Sequence, residues 1–352
     1  MTPLKNNWIR IREGVRSNLA ARFPSLLTTL GCRPLAANLR LTHRCSGRCR
    51  SCTHWHDGGA ADGELSTKTW RGILRHLKSQ DILKISFTGG DILQREDAPE
   101  LMGYAKGLGL QVRATLNGYS VTERIARKIM AERPDNLTLS LDHLDEFFTE
   151  SRGVTDASGK VVQAFRLLNR HNNGHTNLGL AVTLMKDSLE GTERVIRFAL
   201  DNNLSVNFNL IHFTHYFTDT EYSREQYRLS PGELNDLSRL VQRLTGLHHA
   251  HPKLLPPPAQ LRWIAGYFQD YRQPETPCLK TILKPCIDPD GTVRACCSMA
   301  PVGNITQQPL HEIVRSSGYL QGVSRGLTKN CPGCSCHFSL NLGANLTHRL
   351  WL

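Results

Sequence analysis

Six short apolar runs recur between residues 35 and 211: ANLRLT (37–42), ILKISFT (82–88), LQVRATL (110–116), NLTLSL (136–141), LGLAVTL (178–184) and LSVNFNLI (204–211). The segments between them carry apolar residues at helical spacing, as in Trp70, Ile73, Leu74 and Leu77, or Ile125, Ala126, Ile129 and Met130. Strands alternating with helices at this spacing imply a parallel sheet covered by its crossover helices, and six βα units suit a partial barrel as well as a doubly wound sheet. In either architecture the chemistry belongs at the C-terminal ends of the strands.

Around this body, residues 4–30 read as an amphipathic helix, with Trp8, Ile9, Ile11 and Val15 packing it onto the outside of the βα units. A further helix opens at the capping box Ser230-Pro231-Gly232-Glu233 and runs to about residue 245. GLHHAHPKLLPPP (246–258) then reads as a boundary linker whose His248, His249 and His251 are solvated rather than metal-bound. The expected organisation is a helical segment (1–33), the βα body (34–245), a linker with a helix (246–275), a cysteine-bearing unit (276–337) and a tail (338–352). The N-terminus lacks an uninterrupted apolar core and no stretch reaches membrane-span length, so a soluble, cytoplasmic protein without membrane partners is expected. A formal charge of +12 asks for an acidic partner and does not choose which.

Directly after the first strand comes CSGRCRSC, with Cys45, Cys49 and Cys52 spaced C-x3-C-x2-C and followed by His54, Trp55 and His56. A zinc site closed by His54 needs four ligands around one ion. A [4Fe–4S] cluster on three thiolates instead leaves one iron open. The eleven cysteines fall in two groups, 45–52 and 278–336, with only Cys32 apart, which favours metal ligation in a reducing compartment over disulfides. The second strand ends in SFTGGD, where Gly89 and Gly90 let backbone approach whatever occupies the open iron and Asp91 offers a carboxylate to a cationic group.

Taken in order, these motifs resemble those of radical S-adenosylmethionine (SAM) enzymes. The resemblance implies a partial (βα)6 TIM-like barrel, a [4Fe–4S] cluster on Cys45, Cys49 and Cys52, and SAM chelated to its open iron. Gly89-Gly90-Asp91 stands where that superfamily has GGE. Asn117 lies in TLNG, which resembles the TNG signature, and Ser140 and Asp142 resemble the SxD signature near the SAM ribose. Arg152-Gly153 resembles the pair whose guanidinium reaches the SAM carboxylate. The residue before the third cysteine, usually aromatic, is Ser51 here, which leaves Trp55 as the candidate for adenine stacking.

The second cysteine group, Cys278, then Gly291-x4-Cys296, the Asp290-Gly291 turn, the VGN stretch and Cys331-Pro-Gly-Cys334, resembles SPASM and twitch extensions. That implies a small hairpin-and-helix domain, with Cys278 and Cys296 on either side of the hairpin turn, a helix over 309–318, and one auxiliary [4Fe–4S] cluster on Cys278, Cys296, Cys331 and Cys334. A second auxiliary cluster would require Cys286, Cys297 or Cys336. A zinc ribbon is the alternative for the same cysteines. Because adjacent strand residues face opposite ways, Cys297 is expected to point away from the cluster that Cys296 binds and to be a candidate hydrogen-atom donor.

The resemblance implies an enzyme that reductively cleaves SAM to a 5′-deoxyadenosyl radical and abstracts hydrogen from its substrate. It also implies an acidic electron donor such as flavodoxin or ferredoxin. With no leader-recognition domain ahead of the barrel, the sequence favours a small polar metabolite such as an aminosugar over a ribosomal peptide. The rival class is a zinc protein binding nucleic acid through its positive charge.

Overall fold

The computed structural model describes residues 3–52, 55, 63–211, 227–270 and 277–331. In chain order these form α1 (Pro3–Arg22), α2 (Leu27–Leu30), β1 (Ala36–Arg40), α3 (Thr67–Ser79), β2 (Lys84–Thr88), α4 (Ala98–Gly107), β3 (Gln111–Leu116), α5 (Glu123–Ala131), β4 (Asn136–Ser140), α6 (Glu146–Arg152) and α7 (Ala157–Arg170). They continue as β5 (Asn177–Leu184), α8 (Leu189–Asp201), β6 (Ser205–Leu210), α9 (Pro231–Ala250), α10 (Pro258–Asp270), α11 (Lys280–Leu283), β7 (Cys286–Ile287), β8 (Thr292–Arg294), β9 (Gly303–Asn304), α12 (Leu310–Ile313) and α13 (Ser317–Leu327).

All six expected strands form, and β1 to β6 pair in sequence order, every pair parallel. Their two-residue alternation decides which side chains meet the helices. On β4, Leu137 and Leu139 are buried while Asn136, Thr138 and Ser140 stay accessible on the other face. The same pattern on β3 and β6 leaves Thr115, Asn207 and Asn209 exposed on that inner face, so the concave side of the sheet is a polar, accessible trough. Outside it, α3 is started by Ser66, whose hydroxyl accepts from Thr69 N, and buries Trp70, Ile73, Leu74 and Leu77. Each such side chain contributes roughly 1.5–3 kcal/mol by leaving water.

The C-terminal hairpin continues this sheet. β7 pairs parallel to β1 (Asn38 opposite Cys286), and β8 and β9 follow antiparallel, giving the order β6-β5-β4-β3-β2-β1-β7-β8-β9. Its turn is Asp288–Gly291, where Gly291 has φ +87° and its N–H donates to Asp288 O. The flanking strands are only two and three residues long, so Cys278 lies ahead of α11, off the hairpin, and the thiol carried by β7 is that of Cys286. The helix expected over 309–318 is two: α12 ends at Ile313, and Ser316 caps α13 by accepting from Tyr319 N.

Two other expectations are corrected. The capping box at Ser230 forms, but α9 runs on to Ala250, so His248 and His249 lie in its last turn and His248 Nδ1 donates to Leu255 O at 3.1 Å. At the other end, Pro24 lacks an amide and disfavours helical backbone at Phe23, so the expected single helix breaks after Arg22. The face it buries also differs. Ile9, Glu13, Ser17 and Ala20 pack inward, with Glu13 accepting from Arg12, Arg16 and the Arg33 amide, while Trp8, Ile11 and Val15 face solvent. No described helix is long and apolar enough to cross a membrane.

Candidate active site

The loop after β1 is clamped from two sides. On one side the turn after β2 donates Gly90 N to Thr42 O (2.9 Å) and Asp91 N to Arg44 O (2.8 Å). A Cβ on Gly89 would lie 2.5 Å from Thr42 O, and one on Gly90 would lie 2.3 Å from Arg44 O, so only glycine allows this approach. On the other side the carbonyls that end α6 accept from the loop: Arg152 O from Arg48 N (2.8 Å) and Ser151 O from Arg50 N (2.9 Å). Gly153, at φ +59°, closes that helix where a Cβ would stand 2.8 Å from Arg48 Cβ.

This clamp presents the three cysteines at the strand C-terminal ends. Asn117 Nδ2 donates to Cys45 Sγ at 3.3 Å, and Arg152 Nη1 reaches Cys49 Sγ at 3.5 Å. Burial raises the Cys45 pKa, and hydrogen bonds from Gly47 N and Asn117 oppose it. Asp142, fully buried, holds Arg152 through its Oδ2, accepting from Nε (3.1 Å) and Nη2, while its Oδ1 accepts from Thr183 N at 2.6 Å. With both oxygens engaged inside the protein, Asp142 positions Arg152. Asp91 is likewise occupied: its Oδ2 accepts from Ser46 Oγ at 2.6 Å, pinning the cysteine loop, and its Oδ1 caps the turn at Leu93 N. Burial raises its pKa.

Ser140 ends β4 on the inner face, one strand from Asn117. Trp55 donates Nε1 to Cys49 O at 3.1 Å, and the Arg48 guanidinium lies 5.4 Å from its ring centroid. A cavity of about 30 Å³ beside Arg152, lined also by Ser51, Phe147, Met185 and Tyr227, is too small for an adenine.

Tyr119 belongs to this site too, and its only sequence signal is that it directly follows Asn117-Gly118. Its ring lies 3.5 Å from a Cβ placed on Gly47, its charge environment is set by Arg152, Cys49, Asp142 and Cys45, and its hydroxyl is buried with no hydrogen-bond partner among the described residues. An orphaned donor beside two thiols fits a sulfur-rich group between them. In a four-iron cluster each thiolate binds its own iron; His54 and His56 lie outside the described residues. Tyr119→Phe should therefore fold and keep its iron, while the potential of this cluster becomes more negative, because a hydrogen bond to cluster sulfur favours the reduced state. An EPR-monitored redox titration checks this, and an unmoved potential would mean the hydroxyl points elsewhere.

In the second group, Cys286 and Cys296 each share a hydrogen bond with Cys297, and Cys278 lies near Cys331. Lys280 is close to Cys278, Cys286 and Cys296. Cys296 and Cys297 follow the end of β8 in a turn, so strand alternation does not separate them and Cys297 converges on Cys296. The β7–β8 hairpin, with Cys286 opposite Arg294, brings Cys286 into this group, and from β1 Asn38 Nδ2 also donates to its Sγ at 3.8 Å. Cys334 and Cys336 lie outside the described residues. These buried, mutually close thiols fit an auxiliary iron–sulfur site.

Comparison with known proteins decides the family. Residues 39–199 match the radical SAM superfamily, and residues 278–337 match the SPASM iron–sulfur cluster-binding domain. The chain is a radical SAM enzyme. It has a SPASM domain, and with these two domains come a [4Fe–4S] cluster, SAM and auxiliary iron–sulfur binding. The enzyme is 24% identical over 334 residues to a PqqA peptide cyclase of Streptomyces rochei, covering 86% of this chain and 85% of that protein. It is 31% identical to a PqqA peptide cyclase of Xanthomonas euvesicatoria over 112 residues, 32% of this chain and 30% of that one. In fold it is similar to SuiB of Streptococcus suis (TM-score 0.64, 17% identity, 86% of this chain and 73% of that one) and to anSMEcpe with bound AdoMet (TM-score 0.65, 14% identity, 83% and 84%).

Proposed function

We propose that this radical SAM enzyme modifies a peptide. The carrying observation is its similarity, along 86% of the chain, to a protein named as a peptide cyclase. This replaces the small polar metabolite favoured by sequence. The polar side chains of Thr115, Asn207 and Asn209, exposed on one face of the sheet, support it by offering hydrogen-bond partners to a peptide backbone.

Cys45, Cys49 and Cys52 would hold the catalytic cluster, and Cys278, Cys296, Cys331 and Cys334, with Cys286 and Cys297 in contact range of Cys296, the auxiliary site. With SAM bound, the reduced cluster would supply the radical chemistry that removes a hydrogen atom from the substrate. The chain's own residues do the positioning. Asn117 and Arg152 donate to two of the three thiols, Asp142 fixes Arg152, and Asp91 fixes the loop through Ser46. Gly89 and Gly90 bring a bare backbone edge against the loop. The convergence of Cys297 with Cys296 makes it a neighbour of the auxiliary site. The +12 charge supports an acidic flavodoxin or ferredoxin as electron donor.

The test is mass spectrometry on reconstituted enzyme given SAM, dithionite and the short peptide encoded beside its gene. Loss of a hydrogen pair from the peptide, with matching 5′-deoxyadenosine, is expected. An unmodified peptide alongside turnover of an aminosugar would overturn the peptide reading.

A further inference from the structure

The solvent face of α1 carries an apolar seam that the fold leaves uncovered. Trp8 (72% exposed), Ile11, Val15 and Leu19 recur every three or four residues along about 17 Å of helix, and Phe23 and Leu26 extend the row beyond its end. The buried face, with Ile9, Glu13, Ser17 and Ala20, is on the opposite side, so the seam is no part of the core. At its foot the chain turns into a cavity of about 580 Å³ walled by Leu27, Ile282, Leu310, Val314, Leu320 and Val323. Contiguous exposed apolar surface of this extent marks an interaction site.

The rim is cationic. Arg12 and Arg16 lie to one side of the seam, Arg22 stands at its C-terminal end, and Arg33 and Arg315 are exposed at the cavity mouth. Glu13, though buried, pairs with Arg12 (2.8 Å) and Arg16 (3.2 Å), so the unbalanced charge of the rim comes from Arg22, Arg33 and Arg315, with Glu312 the other carboxylate nearby. Cys32, also in the wall, contributes no reactive thiolate, because burial and then Glu13 push its pKa up to about 11.

We propose that this seam and cavity dock an amphipathic helix with acidic flanks from a partner polypeptide. The seam is one residue wide with helical spacing, which suits ridge-to-groove packing of one helix on another, with an apolar side chain of the partner entering the cavity. A lipid surface takes a broad apolar face, whereas Arg12 intrudes on this one. A second copy of the chain would set Arg12, Arg16 and Arg22 against themselves. The surface is distinct from the active site. The cavity is lined by Arg33 and Pro34, just before β1, and by Ile82, just before β2, at the opposite ends of the strands from the cysteine loop.

Two synthetic helical peptides with the same leucine seam, one flanked by glutamate and one by lysine, test this by fluorescence anisotropy against the reconstituted full chain. The glutamate peptide is expected to bind about tenfold more tightly than the lysine peptide, and Leu19→Glu or Val15→Glu to weaken it about tenfold. Both positions are exposed, and unchanged circular dichroism and SAM cleavage in the variants show that the fold is intact. Equal binding of the two peptides, or binding insensitive to both substitutions, overturns the proposal. So does a dimer in light scattering that Leu19→Glu dissociates, or seam-dependent sedimentation with anionic phosphatidylglycerol vesicles.

Discussion

Replacing Cys45, Cys49 and Cys52 together by alanine should abolish 5′-deoxyadenosine formation from SAM while leaving a folded chain. The loop that carries them is held independently by Gly90 N and Asp91 N on the β2 side and by the α6 carbonyls on the other, so the thiols can go without releasing it. The variant should also keep iron. With one auxiliary cluster, about half of the wild-type iron should remain, and with two, about two thirds. Iron analysis and EPR of the anaerobically reconstituted variant read this directly. A variant without iron would remove the auxiliary cluster from the account, and one that still makes 5′-deoxyadenosine would remove the catalytic assignment.

The second large effect is expected at Asp142. Its carboxylate is fully buried, and Asp142→Ala would strand the Arg152 guanidinium beside Cys49 and leave the Thr183 amide without its acceptor. Breaking a buried pair from one side costs about 3–5 kcal/mol. Because α6 ends at Arg152 and its last carbonyls hold the cysteine loop, the loss should reach the cluster: lower thermal stability together with reduced iron in the N-terminal site. Asp142→Asn keeps an acceptor for Thr183 and should lose less of both. Thermal denaturation and iron content measured on the two variants check the order. An alanine variant with wild-type stability and iron would show that Arg152 does not depend on Asp142.

What the sequence made legible was local and periodic. Alternation on β4 and the helical face of α3 are each visible within a dozen residues, and the cysteine loop and Gly89-Gly90 announce a close backbone approach at known strand ends. What it hid was decided by partners far along the chain. Asp91 and Asp142 stand out in sequence as carboxylates at strand ends, and nothing local shows that they also hold Ser46 and Arg152 of their own protein. Cys286 joins Cys296 and Cys297 through the β7–β8 hairpin, in which it stands opposite Arg294, a register that the cysteine spacing alone does not show. On α1 the apolar residues suggested the packing face, yet a buried Glu13 holding the Arg33 amide fixes the opposite one, an interaction no hydrophobic pattern signals.

That the cysteine loop holds a redox cluster working on SAM is tested most directly by anaerobic SAM cleavage. Reconstituted wild-type protein should be brown and, with dithionite, convert SAM to equal amounts of methionine and 5′-deoxyadenosine. Colourless protein carrying zinc, or brown protein that leaves SAM intact under reduction, would contradict it.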